Sequence, residues 1–297
     1  MERIYDTLPE LTYPDRVQTL YNLIHEVDAI VIGAGSGFST AAGYDFGGPL
    51  FNEYFSQFQK KYGFDDAYAG IFYPYPSKEE FWAFWSCLCY VFRYREDSNE
   101  TYQMLKQLFH DFNHFIITTN VDHQFITNGF DKTKLFYTQG SFGLIQCATP
   151  CHQETYDASD LLIAMYQQTD ENLKIPKELV PVCPKCGGPM TKNGRVDSRF
   201  VQDQGWYQAK ERYTNFLEKN KDKRILYLEM GVGYNTPVII KYPFLRMARE
   251  NPKAYYVNLS VEKQPIPDYL LDRAMPIYGD LALPIKDLYR LSQQGGH

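Results

Sequence analysis

No stretch of this 297-residue chain approaches the roughly 20 consecutive apolar residues that a membrane-crossing helix requires. The opening Met1-Glu-Arg-Ile-Tyr-Asp6 has neither the basic start nor the apolar core of a secretory leader. A basic surplus is lacking too. With 30 Lys and Arg against 36 Asp and Glu, the net charge is −6, which argues against a nucleic-acid binder working through a basic face. The expectation is a cytoplasmic protein with neither membrane nor nucleic acid among its partners. In that compartment the six cysteines suit metal or chemistry better than disulfides. Charged residues at 22% and apolar ones at 44% are ordinary for a soluble globular protein. Aromatic residues are not ordinary: 25 Tyr and 20 Phe point to clefts or surfaces built from rings.

The strongest local signal lies between Asp28 and Phe46. Ala29-Ile-Val-Ile32 is a short apolar run of the kind that fills a parallel sheet, and it leads straight into Gly33-Ala34-Gly35. Gly33 and Gly35 lack a Cβ, so the backbone can turn sharply and approach a ligand. Ser36 to Ala42 are small or hydroxylated and suit a helix N-terminus, where unpaired N–H groups attract phosphate. Dinucleotide binding follows as the first hypothesis, although the usual fingerprint is incomplete. Phe38 stands where G-x-G-x-x-G needs its third glycine, and the acidic residue about twenty positions on, Glu53, sits in an aperiodic segment. A plain tight turn is the alternative reading of the two glycines.

Helix-period and buried-strand segments alternate through both ends of the chain. Pro14 opens a helix with Val17, Leu20, Tyr21 and Ile24 on one face, and Ser77 with Glu80 forms a capping box ahead of a helix through Phe92. A third helix is expected from Ser98 to His110, a fourth capped by Thr236-Pro237, and a closing one from Pro284 to Leu291. Phe115–Thr118, Leu135–Thr138, Arg224–Met230, Ala254–Val257 and Met275–Tyr278 read as strands. Such alternation predicts an α/β fold with a doubly wound parallel sheet. Residues 46–76 are aromatic and aperiodic and read as ordinary core or as a lid that excludes water, with the lid favoured. Residues 141–205, rich in Cys, Pro and Gly, interrupt the alternation as a small inserted module. The expected division is a Rossmann-like domain of residues 1–140 and 206–297, with 46–110 its helical or lid segment, and the module at 141–205.

Cys147-Ala-Thr-Pro-Cys151 and Cys183-Pro-Lys-Cys186 form a C-x3-C and C-x2-C pair of knuckles. Each supplies half of a tetrahedral thiolate site. Four thiolates leave no open position, so Cys147, Cys151, Cys183 and Cys186 are expected to hold a structural zinc ion. Redox chemistry at Cys183-Pro-Lys-Cys186 is the alternative, but that motif should open a helix, and Gly187-Gly-Pro189 breaks one at once. His152 could substitute as a ligand. Cys87 and Cys89 lie in an apolar helical stretch and are expected in the core.

Several signatures stand in a fixed order. They are Gly33-Ala34-Gly35, Thr119-Asn120-Val121-Asp122, Gln139-Gly-Ser141, the cysteine knuckles, Gly231-Val-Gly233, Asn258 and Gly279-Asp280. In this order, from about Ile30 to Leu281, the chain resembles the sirtuin family. The resemblance implies a NAD-binding doubly wound domain with a zinc module, and cleavage of the nicotinamide–ribose bond. Three departures refine it. Sirtuin deacylases carry histidine where this chain has Gln139, the usual Gln-Asn-x-Asp begins with Thr119, and the arginine that follows Asp-Phe is replaced by Gly47. Together with Thr40-Ala-Ala-Gly43 and the C-x3-C knuckle, these changes resemble the macrodomain-linked class M sirtuins. That branch implies mono-ADP-ribosylation of a protein substrate, a lipoyl-carrier protein of the glycine-cleavage H type, with a macrodomain ADP-ribosylhydrolase as the reversing enzyme.

The resemblance also assigns roles. Gly33, Ala34 and Gly35 would hold the pyrophosphate, Asn258 or Asp280 would sit near the adenosine, and Ser39, Asp45, Phe46, Gly231, Gly233 and Asn235 would complete the NAD site. Catalysis falls to Asn120, Asp122 and Gln139. Breaking the nicotinamide bond leaves an oxocarbenium-like ribose, which needs a polar site that tolerates positive charge. Asn120 and Asp122 can hydrogen-bond the departing carboxamide or an ordered water, or merely cap the next helix. Glutamine has no proton acceptor of the histidine kind, so Gln139 can orient ribose but cannot serve as the base a deacylase needs. Protein-lysine deacylation and NAD hydrolysis or sensing remain as alternatives. Arg195 and Arg199 could contact an anionic partner or the nucleotide, or be solvated surface charge.

Overall fold

The computed structural model describes residues 11–96, 98–234 and 236–294. Nine strands are assigned among them: β1 (Ala29–Ala34), β2 (His114–Thr118), β3 (Leu135–Tyr137), β4 (Gly140–Cys147), β5 (Tyr156–Asp157), β6 (Met190–Gly194), β7 (Ile225–Met230), β8 (Tyr255–Ser260) and β9 (Ala274–Tyr278). Six of these form one sheet in the order β3-β2-β1-β7-β8-β9, with every pair parallel. Order reverses between β1 and β7, where a doubly wound sheet opens a crevice at its carboxyl edge. All six residues of β1 are buried, as a central strand covered on both faces must be. Ile30, Ile32 and Ala34 point into one core, Ala29 and Val31 into the other.

Helices cover both faces. α1 (Tyr13–Glu26) starts at Thr12, whose side chain accepts from the Asp15 amide while the Asp15 carboxylate reaches back, with Pro14 in the first turn. After the short α2 (Ser36–Ala41) come α3 (Pro49–Tyr54), α4 (Ser56–Tyr62), α5 (Ala67–Phe72), α6 (Lys78–Cys89) and α7 (Glu100–Phe109). A one-turn α8 (Gln124–Thr127) follows β2, and α9 (Ser159–Gln167) lies in the inserted module. α10 (Gln204–Asn220) packs beneath β3, α11 (Lys241–Glu250) beneath β8, and α12 (Ala282–Gln294) against α1 and α7 on the opposite face. No described helix is long and apolar enough to cross a membrane.

Two sequence expectations are corrected. Residues 46–76 are not aperiodic but hold three short helices: Phe51, Phe55, Phe58 and Phe64 are buried and pack on one another and on Phe84, while Tyr68 and Phe72 of the third helix are exposed. Burying each ring contributes about 3 kcal/mol, which a mobile flap would forfeit. The periodicity is hidden because each helix has only six or seven residues. Likewise α11 begins at Lys241 and not at Thr236-Pro237, with residues 237–240 forming turns. Pro243 lacks an N–H and fits only the first turn of a helix, so the helix can start no earlier than shortly before it. The expected Ser77 cap is present, and Cys87 and Cys89 are buried, but α6 ends in a π-helical turn at Tyr90–Tyr94.

The inserted module is a separate antiparallel sheet in the order β5-β4-β6. β4 runs from Gly140, just past the end of β3, to Cys147. One strand therefore connects the carboxyl edge of the main sheet to the cysteine cluster.

Candidate active site

The carboxyl ends of β1 and β2 carry a closed network of polar side chains. Thr118 Oγ1 donates to the Ala34 carbonyl at 2.8 Å, and the Thr119 amide reaches the same oxygen at 3.1 Å. That pairing delivers Asn120, whose Nδ2 donates to Gly35 O at 3.0 Å and to Ser39 Oγ at 2.9 Å. Ser39 gives its single hydrogen to Asp122 Oδ2 at 2.5 Å, so the Tyr102 hydroxyl, 3.1 Å away, must donate to Ser39. The second carboxylate oxygen of Asp122 accepts from the Gln124 amide at 3.1 Å. Ser39, Asn120 and Asp122 are each only 6% exposed, so every one of these bonds is shielded from water.

The network fixes what each group can still offer. Both amide hydrogens of Asn120 are spent, which leaves its Oδ1 as an acceptor for a carboxamide N–H or a water. Burial pushes the Asp122 carboxyl above its ordinary range, opposed by the Ser39 and Gln124 hydrogen bonds. His123, the residue after it, is pushed down to about 3 by burial and then by Arg93, so it is neutral. Through the Gln124 bond Asp122 also holds the first amide of α8.

Gln139 sits immediately after Thr138, which pairs with Thr118 through both its amide (3.0 Å) and its hydroxyl (2.9 Å). The Phe142 amide donates to Val121 O at 2.8 Å, so the Gln139 turn and the Asn120–Asp122 turn lie side by side. Gln139 is half-buried, and its carbonyl accepts from the Arg195 amide at 3.0 Å. Two residues on, Ser141 accepts from the Arg93 guanidinium on the π-helical turn. Gly143 makes room for that guanidinium, since a Cβ there would lie 2.6 Å from Arg93 Cζ. The sequence reading missed Arg93 and Tyr102. The only pointer to Arg93 would have been its position near the end of a long aromatic helix.

The glycine turn has a steric explanation. A Cβ on Gly35 would lie 2.5 Å from Gly231 O, and one on Gly231, at φ +62°, would lie 2.3 Å from the Phe38 amide nitrogen. Two loops thus cross backbone to backbone, joined by Gly37 N–H to Gly231 O at 3.0 Å and Gly35 N–H to Met230 O at 2.9 Å. Gly33 makes space for α11 instead: a Cβ there would meet Ile240 at 2.4 Å. Asp45 accepts from the Gly47 amide at 3.1 Å, and Phe46 packs edge-on to Phe92 with centroids 4.7 Å apart. Gly233 is open. Asn235 lies outside the described residues. At the far end, Asn258 is fully buried between Glu229 and Ser260, while Asp280 is exposed and accepts from the Ala282 amide at the start of α12.

The four knuckle cysteines converge, their sulfurs all within 4.8 Å of one another. The Cys147–Cys186 and Cys151–Cys183 separations are both 3.7 Å. Four thiolates at 2.3 Å from a tetrahedral ion are about 3.8 Å apart, so both of these separations match a zinc site. His152 instead lies beside Cys151 and 2.8 Å from the Tyr156 hydroxyl. Arg199 is exposed and paired with Asp197, and Arg195 lies over the rings of Phe200 and Trp206.

No protein-family model matches the chain. Its fold is that of the Sir2 sirtuins: a Sir2–p53 peptide–NAD+ structure superposes with a TM-score of 0.56 at 16% identity, covering 94% of this chain and 98% of that one. Among curated relatives, a "Protein ADP-ribosyltransferase" of Staphylococcus aureus is 36% identical over 276 residues, 93% of this chain and 87% of its own length. A "Probable bifunctional ADP-ribose hydrolase/ADP-ribosyltransferase" of Fusarium oxysporum f. sp. cubense is 31% identical over 232 residues, 74% of this chain but 38% of its own. The chain belongs to the sirtuin family, among its protein ADP-ribosyltransferases.

Proposed function

We propose that this protein transfers a single ADP-ribosyl group from NAD to a partner protein and releases nicotinamide. The observation that carries the reading is a site rich in fixed hydrogen-bonding groups and poor in bases. Asp122 is committed to Ser39 and Gln124, His123 is half-buried and neutral, and Gln139 cannot take up a proton at neutral pH. A deacylase needs a base at the ribose, and lacking it costs roughly a hundred- to ten-thousand-fold. The 36% identical relative named a protein ADP-ribosyltransferase supports the same choice.

NAD, when bound, supplies the ADP-ribosyl group and loses nicotinamide as the bond from the ribose breaks. In this reading the Gly35–Gly231 crossing lets the backbone approach the pyrophosphate, with Ala34, Gly233, Asp45 and Phe46 lining the same crevice, while Gly33 lies behind it in β1 against α11. Asn120 Oδ1 accepts a hydrogen from the departing carboxamide or a water. The Asp122 carboxylate, held by Ser39, favours positive charge on the sugar. Gln139, whose side-chain amide makes no hydrogen bond among the described residues, orients the ribose hydroxyls. Asn258 and Asp280 stand at the adenosine end, and zinc at the four cysteines holds the module of residues 141–205 against the 1–140 and 206–297 domain.

The protein substrate we assign is a lipoyl-carrier protein, on the resemblance to class M sirtuins. The relative named a bifunctional ADP-ribose hydrolase/ADP-ribosyltransferase supports a hydrolase as the reversing partner. The test incubates purified protein with labelled NAD and a lipoylated carrier protein, beside a parallel acyl-lysine peptide. Label on the carrier, lost in Asn120→Ala and reduced in Gln139→Ala with both variants folded, is the expected result. Peptide deacylation at a rate comparable to NAD consumption refutes the reading, and NAD consumption without any labelled protein replaces it with hydrolysis.

A further inference from the structure

At the ends of β7 and β8 an ion pair is sealed from solvent: Lys241, at the start of α11, meets Glu229 of β7 with their side chains 4% and 0% exposed. The same carboxylate accepts from the Tyr256 hydroxyl at 2.9 Å and from Asn258 Nδ2 at 2.7 Å, and Lys241 also donates to Gln264 Oε1. A cavity of about 270 Å³ opens over this floor, walled by Tyr234, Tyr242 and Pro265 to Pro267. Folding alone does not select such a pair, because apolar residues of the same volume are often as stable or more so.

What the pair does is fix Asn258. An ionised carboxylate can only accept, so Glu229 obliges Asn258 to turn its nitrogen inward. Its Oδ1 then faces the Ser260 hydroxyl at 2.8 Å, whose one hydrogen is shared with the Glu262 carbonyl, also at 2.8 Å. A flipped amide would set oxygen against oxygen at 2.7 Å. Burial pushes the Glu229 carboxyl up, and Lys241 is the largest influence opposing that rise. With Lys241 in place Asn258 has one orientation, and it can still offer one N–H and one lone pair to a ligand.

We propose that Glu229 and Lys241 are a positioning pair that locks the Asn258 amide for the adenosine end of NAD; this rests on the reading above that NAD lies along this edge of the sheet. Neither residue touches the reacting atoms, so affinity for NAD should change while the chemical step does not.

Steady-state kinetics over NAD concentration, for Glu229→Gln, Glu229→Gln/Lys241→Met and Asn258→Ala, test this. Lys241 and Asn258 both donate to Glu229 Oε1, so Glu229→Gln alone would still present an oxygen to them, and only the double variant lets the Asn258 amide sit either way. The expected result is a KM for NAD raised about tenfold in the double variant and in Asn258→Ala, one lost hydrogen bond's worth, with kcat within about twofold. Adding Asn258→Ala to the double variant should raise KM no further. A folded double variant with an unchanged KM beside a raised KM in Asn258→Ala overturns the inference and leaves the NAD reading standing. An unchanged KM in folded Asn258→Ala overturns the NAD placement itself, and a fall in kcat with constant KM overturns the positioning role. If the double variant fails to fold, Glu229→Leu/Lys241→Met, an apolar pair that gives Asn258 no acceptor, decides in its place.

Discussion

Ser39→Ala is the sharpest test of the network, because one hydroxyl joins three buried partners. The change removes the hydrogen donated to Asp122, a bond to a charged group that contributes about 1.5–3 kcal/mol. It also strips an acceptor from the Asn120 amide and from the Tyr102 hydroxyl, and Tyr102 is fully buried. Each orphaned donor costs about 1 kcal/mol or more. The total expected is roughly 4 kcal/mol, which for a chain of this size lowers Tm by about 6 °C. Calorimetry should be run beside Asp122→Asn and the double variant. The double should lose about 2 kcal/mol less than the two single losses added together, since both singles break the same bond. Transfer activity should fall at least tenfold, because Asn120 Oδ1 is aimed by the hydrogens that Asn120 gives to Gly35 and Ser39. A folded Ser39→Ala protein within about 1 kcal/mol of the unmodified chain, or strictly additive losses, would refute the account of a coupled buried network.

Three further outcomes are expected. Gly231→Ala places a methyl 2.3 Å from the Phe38 nitrogen at φ +62°, against backbone that cannot rotate away, and should cost about 3 kcal/mol or more in urea denaturation. Metal analysis should find one zinc per chain. Cys183→Ser should lose the metal and, because β4 joins Cys147 to Gly140, also broaden the transition; a metal-free yet equally stable protein would contradict this. Burial holds the folded His123 pKa near 3 against an ordinary 6.5, so the unfolded chain takes the proton first as pH falls. Stability is therefore full above about pH 6.5 and declines below it, by about 1–2 kcal/mol at pH 5 from this residue. His123→Asn, which tolerates the left-handed backbone at φ 66°, should flatten that slope in urea midpoints measured at pH 7.5 and 5.

Much of the fold was legible in the sequence because it rests on local patterns. The apolar run of β1, the Pro14 opening of α1, the Ser77 cap and the spacing of the four cysteines each depend on residues near one another in the chain. So does the absence of a base at Gln139. That side chain cannot take up a proton at neutral pH in any fold, and the preference for transfer over deacylation follows from it. Short elements were less legible. The rings of 46–76 read as a lid because helices of six or seven residues leave no period to detect, and whether a ring is core or flap depends on what packs over it.

Chain-distant contacts could not be read at all. Ser39 and Asp122 are 83 positions apart, Asn120 and Gly35 are 85 apart, and Arg93 reaches Ser141 across 48. Only the parallel pairing of β1 with β2, and the return of β4 beside them, makes one site of these segments. Glycine shows the division most plainly. The sequence by itself determined that Gly33 and Gly35 lack a Cβ, and of the turn it placed at both the structure keeps only the one after Gly35, since Gly33 lies inside β1. The tertiary structure decided that Gly33 clears α11 while Gly35 clears Gly231, because a missing Cβ acquires a purpose only from the neighbour that fills its place.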